Sequence, residues 1–211
     1  MTNADPRLTK ICTAAPIIPV LVVHDVAHAV PLAQALVAGG LTSLEVTLRT
    51  DAALDVIAEM AQVPGCTPGA GTVLTAADVD AVVKAGGQFA VSPGSSPAII
   101  DACAANDLPL LPGAATSTEA MALLDRGFTY QKFFPAEAIG GAKALGAMAG
   151  PLPQIKFCPT GGVTPQNAQS YLALPNVICA GGSWVAPSNL VTAGDWDAIT
   201  KIASQAAQLG A

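Results

Sequence analysis

Short apolar segments alternate with longer amphipathic segments along the whole chain, at a spacing of roughly 20 to 26 residues. Each short segment has the length of a buried strand, and the stretches between them have the apolar spacing of a helix with one buried face. Strands are predicted at eight places: 17–23, 43–48, 68–73, 89–92, 109–112, 130–134, 155–158 and 177–180. Because strands and helices alternate, the pattern predicts a parallel sheet.

Helices are predicted between these strands, at 29–38, 52–62, 76–85, 97–106, 117–126, 141–149, 165–172 and 195–208. Several of these segments end at glycine or proline, which stop a helix. Ahead of the first strand, Asp5 is a good helix cap and Pro6 suits the first helical position. An extra helix is therefore predicted over 7–14.

Eight strand–helix units in 211 residues predict one α/β domain over 1–211, a (β/α)8 TIM barrel with an extra N-terminal helix. We expect that helix to close one end of the barrel. The alternative is a doubly wound open sheet, which is disfavoured because no Gly-x-Gly-x-x-Gly motif follows the first strand. In a barrel, the active site lies at the C-terminal ends of the strands.

Composition excludes several classes of function. The chain is 52% hydrophobic and 11% charged, with a net charge of −6 and no run of Lys or Arg, which argues against binding of nucleic acid or of an anionic membrane. The longest apolar run, 14–23, is too short to span a bilayer, and no signal peptide is recognisable. Five isolated cysteines indicate reduced thiols, so a soluble cytoplasmic protein is expected.

Metal binding is not indicated by the sequence. His24 and His28 have the spacing of two ligands on one helix, but no Glu follows His24 as in the His-Glu-x-x-His motif. The cysteines lack a Cys-x-x-Cys pair. We therefore expect no metal.

Two glycine pairs follow the last two predicted strands, where barrels commonly bind phosphate. Gly161 and Gly162 follow the seventh strand, and Gly181 and Gly182, with Ser183 beside them, follow the eighth. Glycines let backbone N–H groups approach an anion closely, although glycines at such corners are usually turn residues. Their coincidence at these two corners predicts a phosphate site.

A lysine inside the sixth predicted strand is the main candidate for chemistry. Burial disfavours a charged ammonium, and a neutral amine condenses with a ketone to form a Schiff base. Since side chains alternate along a strand, Lys132 and Phe134 share one face, and Glu45, Thr47 and Arg49 share a face of the second strand. If both faces line one cavity, a carboxylate reaches the amine, and an arginine is left for an anionic substrate.

Structural roles without any catalytic function also remain open for these residues. Lys132 is also compatible with a packed stem whose ammonium reaches water or a carboxylate, and Glu45 with Arg49 is compatible with an internal ion pair. The remaining sequence decides between these interpretations.

Seven sequence blocks resemble, in order and at compatible spacing, the 2-keto-3-deoxy-6-phosphogluconate (KDPG) aldolase and 4-hydroxy-2-oxoglutarate aldolase family. The blocks are GG at 39–40, LEVTLRT at 44–50, GAGTVL at 69–74, VSPG at 91–94, KFFPAE at 132–137, PTGG at 159–162 and GGSW at 181–184. The resemblance covers nearly the whole chain. It implies a trimeric (β/α)8 barrel that needs no cofactor or metal and takes a small phosphorylated keto acid as its ligand.

What the resemblance implies chemically is a class I aldolase of the Entner–Doudoroff pathway. Such an enzyme reversibly cleaves the phosphorylated keto acid to pyruvate and glyceraldehyde 3-phosphate. By position, the implied roles are the Schiff-base lysine for Lys132, the general acid and base for Glu45, carboxylate or ketone contacts for Arg49, Thr72, Pro93, Phe134 and Thr160, and phosphate contacts for Gly161, Gly162, Gly181, Gly182 and Ser183.

Two other activities stay open. An aldolase for the 6-phosphogalactonate epimer resembles the same scaffold, although Thr160 resembles the gluconate type. A single hydroxyl contact is able to decide an epimer. A phosphate-binding isomerase barrel would share the glycine pairs but has no need of a lysine beside a glutamate. A barrel that only binds sugar phosphates is a third, weaker alternative.

Overall fold

The structure, a computed structural model, describes residues 5–210 of the chain. Residues 1–4 and 211 of the predicted domain lie outside the described part. The helices are α1 Pro6–Thr13, α2 Ala29–Ala38, α3 Ala53–Met60, α4 Ala76–Lys84, α5 Pro97–Ala105, α6 Ser117–Asp125, α7 Gly141–Ala147, α8 Ala168–Leu172, α9 Ser188–Ala193 and α10 Trp196–Ala207. Two short 3-10 turns span Val26–His28 and Glu137–Ile139.

The strands form two parallel sheets. They are β1 Ile17–Leu21, β2 Ser43–Thr47, β3 Thr67–Gly71, β4 Ala90–Val91, β5 Leu110–Leu111, β6 Gly113–Ala114, β7 Tyr130–Phe133, β8 Lys156–Pro159 and β9 Ala180–Gly182. The larger sheet has the order β5-β4-β3-β2-β1-β9, and the smaller has the order β6-β7-β8. Every strand pair is parallel, as the alternation of strands and helices predicts.

The predicted α/β class is confirmed, but the hydrogen bonds divide the expected barrel into two sheets. The fifth predicted strand, 109–112, is observed as β5 in the larger sheet, and β6, which was not predicted, follows directly after Pro112 in the smaller sheet. Proline has no N–H to continue a ladder, although its carbonyl accepts from the Lys132 N–H at 2.8 Å. Isolated bridges from Phe157 to Val177 and from Thr160 to Gly181 connect β8 towards β9. The closed barrel stays a prediction.

Most predicted elements are present, with ends that differ by a few residues. Helix α2 has the predicted bounds, whereas α9 was not predicted, because its segment follows a proline in a glycine- and serine-containing loop. The eighth strand was predicted at 177–180 but begins at Ala180, so Gly181 and Gly182 lie within β9 instead of after it. That shift matters for the predicted phosphate site.

Helix α1 packs against the N-terminal ends of the strands. Asp5 caps it by accepting from the Arg7 N–H at 2.8 Å, as predicted. Ser43, the first residue of β2, donates its hydroxyl to the Ile11 carbonyl at 3.2 Å. Leu8, Ile11 and Cys12 are buried against inward-facing strand residues. The opposite ends of the strands are therefore left for the site.

Strand β2 has the two distinct faces that its alternation predicts. Leu44 and Val46 are fully buried in the main core beneath the helices. Glu45 lies on the opposite face of β2, where it meets the side chain of Lys132 from β7 in the smaller sheet. Within residues 5–210, no helix combines the length and apolarity that a membrane crossing requires.

Candidate active site

A cavity of about 510 Å³ opens at the C-terminal ends of the strands. Its volume suits a small organic ligand. Side chains from β2 and β7 form its floor, and the loops after β1, β3, β4, β8 and β9 form its walls. The lining residues are Val20, Val22, Glu45, Arg49, Thr72, Leu74, Pro93, Lys132, Phe134, Thr160, Gly161, Gly162, Val163, Gly181 and Ser183.

A buried ion pair lies on the floor of the cavity. The Nζ of Lys132 donates to Oε1 of Glu45 at 3.1 Å, and the two side chains are only 6% and 4% exposed. A pair this buried has a desolvation penalty that often exceeds its Coulomb attraction, so it is a poor device for stability. A carboxylate within hydrogen-bonding distance of an amine is, by contrast, the arrangement that proton transfer during imine chemistry requires.

The position of the Glu45 carboxylate depends on a glycine in the neighbouring strand. Glu45 pairs with Gly69 in the β2–β3 ladder, and Gly71 lies two residues further along the same face of β3. A Cβ atom at Gly71 would lie 2.1 Å from Oε1 of Glu45. Only glycine leaves room there for the carboxylate.

An aromatic ring borders the amine. Lys132 and Phe134 face the same cavity, as strand alternation predicts, and Nζ lies 5.5 Å from the centroid of the Phe134 ring. At this distance the ring face attracts a cation only weakly. Its larger effect is to cover one side of the amine with apolar surface.

Arg49 also faces the cavity, without a carboxylate partner. Within residues 5–210, the ion pairs involve Arg7, Arg126 and Lys132, and none involves Arg49. The internal Glu45–Arg49 pair that the sequence left open is therefore not formed, because Glu45 is paired with Lys132. The guanidinium remains available to bind an anion in two-pronged fashion.

Thr72 follows β3 and has a strained backbone. Its φ of 58° lies in the left-handed region, which is unusual for a β-branched residue. Such strain concentrates at functional sites, where the surrounding structure holds it. Both Thr72 and Pro93 line the cavity.

The glycine pairs behave differently from each other. Gly161 and Gly162 have φ values of 97° and 81°, so both need the conformational freedom of glycine, and both line the cavity. Gly181 lines it too, and a Cβ there would lie 2.4 Å from Oγ1 of Thr160. Gly182 does not line it. A Cβ at Gly182 would lie 2.1 Å from the Trp184 ring, so this glycine makes space for the indole.

Of the twelve candidates taken from the sequence, the structure brings eleven to one cavity and leaves out Gly182. Sequence reasoning had not singled out the apolar lining, made by Val20, Val22, Leu74 and Val163. Their signal was weak, because an aliphatic residue at a strand end resembles any core residue. Among residues 5–210, no three His, Cys, Asp or Glu side chains are grouped to hold a metal ion.

A family model described as KDPG and KHG aldolase matches residues 8–202. The chain belongs to this aldolase family. It is 56% identical to the 2-dehydro-3-deoxy-phosphogluconate aldolase of Pseudoalteromonas atlantica, over 90% of this chain and 89% of the relative. It is 49% identical to the KHG/KDPG aldolase of Escherichia coli, over 99% of this chain and 98% of the relative.

A solved aldolase of the same family bears on the chemistry. The KDPG aldolase of Legionella pneumophila, captured with pyruvate as a covalent carbinolamine intermediate, is 42% identical to this chain and matches its structure with a TM-score of 0.92. The match covers 95% of this chain and 98% of that one. The chain is thus an enzyme, a carbon–carbon lyase, and the Lys132–Glu45 pair lies in the cavity of an aldolase.

Proposed function

We propose that the chain is a class I aldolase that reversibly cleaves 2-dehydro-3-deoxy-6-phosphogluconate to pyruvate and glyceraldehyde 3-phosphate, the cleavage step of the Entner–Doudoroff pathway. The observation that carries the proposal is the buried Lys132 amine, 3.1 Å from the Glu45 carboxylate. The cation of Arg49 and the glycines of the loop after β8 line the same cavity. An acidic, phosphorylated keto acid matches both features.

The reaction begins when Glu45 takes a proton from the Lys132 ammonium, and the neutral amine then attacks the substrate ketone. The new C–N bond gives a carbinolamine, and loss of its hydroxyl as water gives a protonated imine. Glu45 is within reach to take the proton from the attacking nitrogen and to deliver one to the departing hydroxyl. One carboxylate therefore serves both proton transfers.

Cleavage then uses the imine as an electron sink. Glu45, directly or through water, removes the proton of the C4 hydroxyl; the C3–C4 bond breaks as the aldehyde carbonyl forms, and the electron pair moves to the imine nitrogen to give an enamine. Glyceraldehyde 3-phosphate leaves. Protonation of the enamine at C3 and hydrolysis of the imine release pyruvate and restore the lysine. General acid–base catalysis of this kind contributes about 10²–10⁴-fold.

The cavity walls hold the two ends of the substrate. Arg49 and Thr72 bind the carboxylate, with Pro93 beside them, and Phe134 packs against the ketone carbon. At the other end, the phosphate binds to backbone N–H groups near Gly161 and to the glycines and hydroxyls around it. The members of this phosphate site are Gly161, Gly162, Gly181 and Ser183, which all line the cavity. Gly182 has a packing role instead.

Reductive trapping tests the nucleophile. The protein is incubated with pyruvate and borohydride and its peptides are analysed by mass spectrometry. We expect the pyruvate adduct on the peptide containing Lys132 and its loss in Lys132→Ala. The matched control is Lys156→Ala, since Lys156 is also a strand lysine but donates to the Pro175 carbonyl. An unmodified Lys132, or an adduct on Lys156, would overturn the proposal.

The role of Glu45 is tested separately. Glu45→Gln keeps the shape of the side chain but removes its capacity to accept a proton. We expect it still to form the trapped adduct, while release of pyruvate in a lactate dehydrogenase-coupled assay falls by about 10²–10⁴-fold. A variant with unchanged turnover would exclude this carboxylate as the acid and base.

A second substrate is favoured by one observation. The E. coli relative, which matches nearly the whole chain, carries both KHG and KDPG in its name. We therefore propose 4-hydroxy-2-oxoglutarate as an additional substrate. The 6-phosphogalactonate epimer is the other candidate, and Thr160, buried at the cavity wall, is the group positioned to read the hydroxyl. Pyruvate release from each compound ranks them.

The assembly and the complete fold are proposals as well. Two observations support a closed (β/α)8 barrel as one domain over 1–211. Only Pro112 separates β5 of the larger sheet from β6 of the smaller sheet, and isolated bridges connect the β8 segment towards β9. The family resemblance implies a homotrimer, whereas the isolated cysteines favour a cytoplasmic location, and the charge of the chain argues against nucleic-acid or membrane partners. Light scattering at the elution peak should give three times the chain mass of 21.0 kDa.

A further inference from the structure

The loop after β8, which carries Gly161 and Gly162, is held by Ala136 and Glu137 of the loop after β7, two residues that do not line the cavity. The Ala136 N–H donates to the Thr160 carbonyl at 2.8 Å, and the Glu137 N–H donates to the Gly161 carbonyl at 3.0 Å. In a trans peptide the N–H points opposite to the carbonyl of the preceding residue. Fixing these two carbonyls therefore turns the next two N–H groups away from the Glu137 loop.

A side-chain amide holds the third carbonyl of the same loop. The Asn167 side chain donates from Nδ2 to the Gly162 carbonyl at 3.0 Å and accepts from the Thr164 N–H at 2.7 Å. The Gly162 N–H makes no hydrogen bond to any of residues 5–210. Three successive carbonyls are thus engaged outside the cavity, while an N–H of this cavity-lining loop is left for a ligand.

Glu137 is in turn held by a buried tyrosine. Its Oε1 accepts a hydrogen bond from the hydroxyl of Tyr171 in α8, and the Tyr171 residue is fully buried. Burial, together with the bond to Glu137 and its charge, raises the pKa of Tyr171 well above its ordinary value, so the hydroxyl remains a donor. The side chain of Glu137 also packs directly on Gly162. A Cβ atom added at Gly162 would lie 2.6 Å from the Cβ of Glu137.

A carboxylate beside a phosphate loop is unfavourable for anion binding, so its presence needs a compensating reason. Glu137 is exposed on one side, and its charge would repel a phosphate at Gly161 and Gly162. The hydrogen bond that it accepts from Tyr171 fixes its backbone, whose N–H fixes Gly161. Glu137 thus helps to position the loop that carries Gly161, although its charge opposes phosphate binding there.

We propose that Glu137, Asn167 and Tyr171 form a loop brace, a set of positioning residues that prearranges the phosphate loop and so confers preference for phosphorylated keto acids. The proposal rests on the proposed function and deepens it, because none of the three side chains lines the cavity or touches the reacting atoms. An ordered loop presents its N–H groups without an ordering cost at each binding event. Pyruvate, which has no phosphate, gains nothing from the brace.

The experiment compares Tyr171→Phe with Tyr130→Phe, the same change at a tyrosine outside the brace. We expect Tyr171→Phe to raise the KM for the phosphorylated keto acid by about five- to tenfold, the equivalent of one hydrogen bond, with little change in kcat. Reductive trapping with pyruvate should keep its wild-type rate. Tyr130→Phe should change neither measurement.

Two variants of Glu137 separate the hydrogen bond from the charge. Glu137→Gln keeps an oxygen that accepts from Tyr171 and should keep or lower the KM. Glu137→Ala should raise the KM relative to Glu137→Gln, because both variants lose the charge and only the alanine loses the hydrogen bond. Since Glu137 is exposed, its variants test the brace even if Tyr171→Phe is poorly folded. The same KM in Glu137→Ala and Glu137→Gln, or an equal loss of phosphate-dependent and pyruvate reactions, would refute the brace.

Calorimetry with inorganic phosphate distinguishes this failure from failure of the proposed function, because it requires no turnover. If wild type binds phosphate but releases no pyruvate, the proposed aldolase reaction is wrong, and weaker phosphate binding by Glu137→Ala than by Glu137→Gln still supports the brace. If wild type cleaves its substrate and the two Glu137 variants bind phosphate equally well, only the brace is wrong.

Discussion

A single methyl group added at Gly71 is expected to separate the Glu45 carboxylate, the proposed acid and base, from the Lys132 amine. Its Cβ would lie 2.1 Å from Oε1 of Glu45 and 2.7 Å from both Cδ and Cγ. Non-bonded heavy atoms rest about 3.5 Å apart or more, so the carboxylate has to move by at least about 1 Å. Its distance to Lys132, now 3.1 Å, then exceeds that of a hydrogen bond.

The magnitude follows from this displacement. A shift of about 1 Å in a catalytic group lowers the rate by about 10²-fold, or about 2.7 kcal/mol in activation free energy. Overpacking also lowers the free energy of unfolding, by about 1–3 kcal/mol. The backbone itself is not the problem, because Gly71 does not have the positive φ that disfavours alanine.

The assay for Gly71→Ala is coupled pyruvate release, together with the rate of borohydride trapping and the urea midpoint. Gly150→Ala is the control, since a Cβ at Gly150 meets nothing within 4 Å. We expect kcat to fall in Gly71→Ala while the adduct still forms on Lys132. If Gly71→Ala is folded and as active as wild type, then either the carboxylate does not need its present position or it is not the acid and base.

Three further predictions concern strain, pH and thiol reactivity. Thr72→Gly relieves a left-handed φ of 58°, so its urea midpoint should be equal to or higher than that of wild type while its KM rises; a lower midpoint would argue against strain of about 1–2 kcal/mol at this residue. The N–H groups of Ala115 and Thr116 hold the pKa of Glu119 below its ordinary value of 4.5, so this carboxylate stabilises the fold above that pH and loses its contribution as the pH falls through the lowered pKa; urea titrations of Glu119→Gln should show a shallower acid loss of unfolding free energy than wild type. Burial raises the pKa of Cys66 to about 12 and that of Cys103 to about 11, so iodoacetamide at pH 8 should alkylate them only after unfolding, and rapid labelling of both in the folded enzyme would contradict their burial.

Strand alternation was sufficient to predict the central contact of the site. Period two places Glu45 on the opposite face of β2 from Leu44 and Val46, and it places Lys132 on the same face as Phe134 in the predicted strand 130–134. When a parallel sheet curves, the inward faces of its strands converge. Glu45 on one strand and Lys132 on another are therefore expected to approach each other in the interior. The 3.1 Å contact agrees with that expectation.

Register and backbone conformation were harder to predict. Gly181 and Gly182 were expected to form a loop after the eighth strand, yet both lie in β9. There, Gly181 makes room for Thr160 and Gly182 makes room for Trp184. The sequence alone does not distinguish a glycine that makes room for a neighbouring side chain from a glycine that forms a turn. Only the positions of the neighbours distinguish the two.

Residues that act through others were invisible for a related reason. Tyr171 has the sequence context of a core aromatic on an amphipathic helix, and its hydroxyl partner, Glu137, is 34 residues away along the chain. Propensity and periodicity describe which face of an element is buried, but they contain no information about which buried hydroxyl meets which carboxylate. Such contacts depend on how α8 packs against the loop after β7.

The site as a whole is built at the expense of stability. The Lys132–Glu45 pair is nearly excluded from water, and an apolar pair of similar volume would often stabilise the fold more. Thr72 retains a strained φ, and Gly71 gives up side-chain packing so that a carboxylate fits beside it. Each of these destabilising features lies at the same cavity, so the site is arranged for a function other than stability. The remaining chain compensates with continuous apolar packing between sheets and helices, where Leu44, Val46 and their neighbours are fully buried.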